Sequence, residues 1–138
     1  MTFPKLSPQE YDENPSCRMS LTRLFGALGV AIMEPYKILF DQIEWESPQV
    51  GARFKVVREG SRQVRLLELS PEFVESQWCD KGHVGFVMAG ELDIDFSGRV
   101  VRFPQGSALL IPAGAPHAHK ARAVTSLVRL FLVEEIPA

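Results

Sequence analysis

The chain has 138 residues, 46% of them hydrophobic and 23% charged, which is the size and make-up of one soluble globular domain. Its net charge of −2, with Lys and Arg scattered and not interleaved with aromatics, argues against a nucleic-acid partner. Two cysteines, Cys17 and Cys79, are too few for a disulfide framework, so a reduced, cytoplasmic setting is expected.

In chain order, residues 1–16 are rich in Pro, Ser, Asp, Glu and Asn and read as a surface arm. Ser20 then caps a predicted helix running to Met33, ended by Pro35. Leu21, Leu24, Phe25, Leu28 and Ile32 fall on one face of it. Its uncharged stretch, 24–33, is too short for a bilayer, which takes about 20 residues, so no membrane partner is expected. The apolar run also starts late for a signal peptide and lacks a small-residue cleavage site. The helix is expected to pack on the following domain or on a second subunit, in a homodimer. A different reading takes Met33 as the natural start. Residues 1–40 are therefore assigned to an N-terminal arm and 41–138 to one globular domain.

From Gly51 the pattern changes to short runs of Val, Ile, Leu and Phe separated by turn residues. Strands are predicted over 53–57, 63–69, 83–89, 91–96, 99–103, 108–111, 116–121 and 126–134. Glu59-Gly60-Ser61 and Ser97-Gly98 read as hairpin turns. In 91–96, Leu92, Ile94 and Phe96 are expected to face inward, and Glu91, Asp93 and Asp95 to face water. Eight strands with no helix between them make an all-β sandwich or barrel.

The chemistry concentrates in two stretches. Gly106-x5-Pro112-x-Gly114-x2-His117 combines a fixed φ at Pro112 with a glycine free to take positive φ, so the chain reverses just before a histidine. If 116–121 is extended, His117 and His119 share a face. This spacing resembles the second motif of the cupin superfamily, with Ala121 where that family carries asparagine. The family's first motif, G-x5-H-x-H-x3-or-4-E-x6-G, can be laid on the chain by its last glycine, Gly90. Its glutamate position is then His83. Its two histidine positions fall on Gln77 and Cys79 with the shorter gap, or on Ser76 and Trp78 with the longer one. The shorter gap puts possible donors at both places.

The resemblance spans roughly residues 51–133. It implies a double-stranded β-helix, or jelly-roll barrel, and a divalent transition metal (Zn, Fe, Ni, Cu or Mn) held in the barrel beside a small-molecule ligand. Imidazole and thiolate suit such metals and suit Mg or Ca poorly. The candidate metal ligands are His83, His117, Cys79 and His119, with Gln77 as a ligand-binding residue. Each has an ordinary alternative: a histidine bonded to a backbone carbonyl, a cysteine acting as a small buried hydrophobe, a glutamine on the surface. Trp45 and Trp78 read as packing residues.

Three function classes follow. The first is a metal-dependent enzyme such as a dioxygenase or isomerase. The second is a non-catalytic cupin that binds a metal or small ligand, as a sensor or store. The third, a metal-free epimerase-like cupin with a His base and a Tyr acid, fits least, because Tyr11 and Tyr36 both precede the barrel.

Overall fold

The computed structural model describes residues 36–136, and the predicted helix over 20–33 lies outside them. A 3-10 turn, Phe40–Gln42, leads into nine strands. These are β1 (Glu46–Gln49), β2 (Ala52–Glu59), β3 (Arg62–Leu69), β4 (His83–Ala89), β5 (Leu92–Phe96), β6 (Arg99–Phe103), β7 (Ala108–Ile111), β8 (Lys120–Ala123) and β9 (Val128–Glu135). They form two antiparallel sheets, β1-β2-β3-β9-β4-β7 and β6-β5-β8. This is the all-β jelly-roll arrangement that the resemblance implied. Among the described residues no helix is long and apolar enough to cross a membrane.

Period-two patterning aims one face of each strand at the space between the sheets. In β9, Val128, Leu130, Leu132 and Glu134 are buried, and the alternate residues through Val133 are half-buried. Val87 on β4, Leu92 on β5 and Val128 on β9 are completely enclosed, and Leu69, Ile94, Leu109 and Ile111 close round them. β3 joins β2 and β9 over its whole length, so Gln63, Arg65, Leu67 and Leu69 share the inner face.

Three sequence expectations are corrected. β1 has no counterpart among the predicted strands. Its residues, Glu-Ser-Pro-Gln, are polar and exposed, and Pro48 is tolerated because β1 is an edge strand. The strand expected over 116–121 starts only at Lys120, because Ala115–His117 forms a 3-10 turn. Asp93, expected to face water, is only 6% exposed. Arg102 on β6 and Arg122 on β8 close over it, at 2.9 and 3.1 Å. Their guanidinium groups, Arg102 foremost, outweigh desolvation and hold its carboxyl below the usual range. The larger sheet repeats the device on its outer face. Glu68 on β3 is 3% exposed, with Arg53 of β2 at 2.6 Å and Arg129 of β9 at 2.5 Å.

Candidate functional site

Between the sheets lies a cavity of about 280 Å³. Its floor is apolar, with Phe54, Leu67, Phe73, Ile94, Leu130 and Leu132 among its lining residues. Its polar residues include Gln63, Arg65, Glu75, Cys79, His83, His119 and Glu134. Three of these bring their ligand atoms within 4.8 Å of one another: Cys79, His83 and His119.

Three separate pieces of chain deliver them. His83 is the first residue of β4 and shares the inner face with Val87. Cys79 and His119 face each other in an isolated antiparallel bridge, each backbone N–H donating to the other's carbonyl at 2.9 Å. The loop after β3 is thereby pinned against the start of β8. The Pro-x-Gly turn sets this up. Gly114 takes φ 116°, a value L-residues avoid, and its N–H donates to Asp80 O at 2.8 Å. The chain then turns through Ala115–His117 before His119 reaches the bridge.

The Cys79 Sγ to His83 Nε2 distance is 3.6 Å. A tetrahedral ion with bonds of about 2.3 Å to sulfur and 2.0–2.1 Å to nitrogen would place these atoms roughly 3.5 Å apart. The outer nitrogens of both imidazoles are also engaged. His119 Nδ1 donates to the His117 carbonyl at 2.9 Å. His83 Nδ1 lies 2.7 Å from Glu134 Oε2. At that distance the carboxylate and a protonated His83 ring form an ion pair. Each ring thus keeps Nε2 for the cluster, the arrangement that orients metal-ligating histidines.

Glu134 is itself held. Arg65 Nε and Nη2 donate to its two oxygens, each at 2.9 Å, and Gln63 Nε2 donates to Oε1 at 2.9 Å. Burial raises its pKa, but His83, Arg65 and Gln63 outweigh that and bring it down to about 2. Burial would lower the pKa of His83. Cys79 and Glu134 overcome it and raise that value to about 9. The Cys79 thiol comes down to about 6, through hydrogen bonding first to His119 and then to His83. His119 is pushed down by burial but ends raised, through Cys79 and the His117 carbonyl. Without a metal, the cluster near pH 7 is a thiolate beside an imidazolium and a carboxylate.

Of the residues singled out from the sequence, Cys79, His83 and His119 come together. His117 is exposed, does not line the cavity, and contributes its carbonyl rather than its ring. Gln77 is exposed and is likewise absent from the cavity lining. Ala121 does line the cavity, and its backbone N–H donates to Glu75 Oε2 at 2.6 Å. Trp45 and Trp78 lie under cations, Arg53 at 4.1 Å and Lys120 at 4.7 Å respectively. Sequence reasoning missed Glu134, Arg65 and Gln63. The signal was present: Glu134 continues the Leu130, Leu132 parity, and Gln63 and Arg65 share the parity of Leu67 and Leu69.

Solved structures share this architecture. A structure described as a sugar phosphate isomerase of the cupin superfamily from Silicibacter pomeroyi superposes with a TM-score of 0.60 at 18% identity, covering 73% of this chain and 76% of that one. The chain has the cupin fold. An RmlC-like cupin from Shewanella frigidimarina covers 75% of this chain and 93% of its own, at 14% identity and a TM-score of 0.59. KdgF from Halomonas sp. covers 72% and 92%, at 16% identity and a TM-score of 0.58. No family model and no curated protein matches the chain. At these identities the likeness to these proteins is one of fold, and the chemistry has to be read from this chain's own residues.

Proposed function

We propose that this cupin binds a divalent transition metal through Cys79 Sγ, His83 Nε2 and His119 Nε2, and presents it to a small molecule in the adjoining cavity. The observation that carries this reading is the second layer around the donors. The Glu134 carboxylate and the His117 carbonyl engage the two Nδ1 atoms, leaving both Nε2 atoms and the thiolate to converge. One soft sulfur and two imidazoles favour zinc, iron, nickel or copper over magnesium or calcium.

Three protein donors leave a coordination position for water or a ligand oxygen, as catalytic rather than structural sites do. When bound there, a metal supplies Lewis-acid polarisation of that oxygen. The protein's own residues do the rest. Phe54, Leu67, Phe73 and Ile94 line an apolar compartment large enough for a small organic molecule only. Among the described residues, Glu75 is the carboxylate of the cavity not committed to His83. One of its oxygens accepts the Ala121 N–H, so Glu75 is available to accept a proton from a bound molecule. A metal-dependent enzyme acting on a small, largely apolar substrate is the reading these features support best. The sugar phosphate isomerase named among the similar structures supports enzyme chemistry on this fold.

Zinc titration by calorimetry tests the assignment, using untagged parent protein and the variants Cys79→Ser, His119→Ala and His117→Ala. Cys79→Ser and His119→Ala are expected to lose most of the affinity, and His117→Ala, which keeps its carbonyl, to retain it. Equal affinity in Cys79→Ser and the parent would remove this site.

A further inference from the structure

Among the described residues two carboxylates line the cavity, Glu134 and Glu75, and their surroundings differ. Glu134 faces Arg65 and His83, which balance its charge. Glu75 faces no cation. Among the described residues its one hydrogen bond comes from the Ala121 N–H to Oε2, at 2.6 Å, and Oε1 is left free. Glu75 also borders a groove on the outside of the smaller sheet, and the cations of that groove are engaged elsewhere. Lys120 Nζ lies over the Trp78 ring at 4.7 Å, and Arg122 pairs with Asp93. Of the cations that line the cavity itself, Arg65 gives Nε and Nη2 to Glu134, and Lys81 is exposed. A half-buried carboxylate without a counter-charge, beside an apolar floor, is costly to desolvate. A neutral ligand that seals the cavity strands that charge, and a cationic one compensates it.

We propose that Glu75 selects the ligand of this cavity, a small, largely apolar molecule carrying a protonated amine that donates to Glu75 and an oxygen that faces the metal. The oxygen end rests on the metal-site reading above; the amine end does not. Spacing allows both. Ala121, which donates to Glu75, lies two residues beyond His119, about 7 Å along extended chain. One small molecule can therefore meet Glu75 and the Cys79, His83 and His119 cluster together. Phe54, Phe73 and Ile94 receive its carbon body. A phosphate or carboxylate group is disfavoured, because Glu75 repels it and the charge of Arg65 is taken by Glu134.

Calorimetry on untagged full-length protein tests this with two probes of similar shape: 2-amino-1-phenylethanol, protonated near neutral pH, and 1-phenylethanol. The proteins are the parent and Glu75→Gln, each with and without zinc. Gln keeps an oxygen for the Ala121 N–H, so the loop stays capped. In the parent the amine should bind at least about ten-fold tighter than the alcohol, the worth of a hydrogen bond between charged groups. That preference should be the same in zinc-loaded and metal-free parent, and should vanish in Glu75→Gln. Equal affinity for the two probes in the parent would overturn the proposal, as would failure of the amine to bind. A preference that survives Glu75→Gln would also overturn it, by showing that another group, such as the metal, holds the amine. Zinc should tighten both probes through their oxygen. A preference that depends on Glu75, with no tightening by zinc, would uphold the amine assignment and count instead against the metal-site reading.

Discussion

Replacing Glu134 with Gln probes two roles of this carboxylate, counter-charge to Arg65 and orienting partner of His83. The substitution preserves shape and leaves an amide oxygen to accept from Gln63 or Arg65, but removes the charge facing Arg65 and His83. The Glu134 side chain is 2% exposed and that of Arg65 21%, so Arg65 is left largely buried with no counter-charge from Glu134. Breaking a buried pair from one side costs about 3–5 kcal/mol, and the partial exposure of Arg65 points to the lower end, about 3 kcal/mol. For a domain of this size that lowers Tm by roughly 10–20 °C. The effect has a definite pH window. Glu134 has a depressed pKa, so its contribution is full above its ordinary value of 4.5 and is lost as pH falls through about 2. His83 has a raised pKa, so its contribution is full below 6.5 and is lost as pH rises through about 9. Urea unfolding of metal-free parent and variant should therefore differ most between about pH 5 and 6.5, and the curves should approach each other in strong acid. Separately, zinc affinity should fall about 10–100-fold, because His83 loses the partner that fixes its ring. A variant within about 1 kcal/mol of the parent that also binds zinc equally well would refute both roles of Glu134.

Other expectations follow from the same geometry. Because His83 must lose a proton held up to about pH 9, metal affinity should keep rising to about that pH, and should steepen below about 6, where Cys79 is protonated too. A plateau near neutrality in a zinc titration series would contradict this. In metal-free Cys17→Ser protein, alkylation of Cys79 by iodoacetamide should follow a titration centred near pH 6, and His119→Ala should move that midpoint upward. A midpoint above about 8 in the unaltered site would count against the thiolate. Gly90→Ala should destabilise by at least about 2 kcal/mol in denaturant unfolding. Gly90 has φ 75°, and an added Cβ would collide with the Leu127 carbonyl oxygen and Thr125 Oγ1. A neutral effect would mean that the turn relaxes freely.

Much of the architecture was legible because strands with one buried face announce themselves by alternation. β4, β6 and β7 have the bounds that their apolar runs and turn residues indicated. β1 carries no such signal, since an exposed edge strand buries nothing and needs no apolar parity. At the site, the sequence identified His83 and Cys79 by position in a motif, and His119 only by parity with His117. The parity argument assumed an extended chain from Pro116. The 3-10 turn at Ala115–His117 breaks that phase, sending the His117 ring to solvent while its carbonyl holds His119. Local sequence does not fix where a turn ends and a strand begins. The Cys79–His119 bridge, a contact between positions 40 residues apart, helps to fix it in this chain. Asp93 shows the same limit. Alternation assigned its face correctly, but its burial comes from arginines on two other strands.

The most direct test of metal binding at Cys79, His83 and His119 is X-ray absorption at the zinc edge of zinc-loaded, untagged protein. The expected shell has one sulfur scatterer at about 2.3 Å, two imidazoles at about 2.0–2.1 Å and a further light atom. The sulfur should be lost in Cys79→Ser, and one imidazole in His119→Ala. A shell without sulfur, or one unchanged by both substitutions, would contradict it.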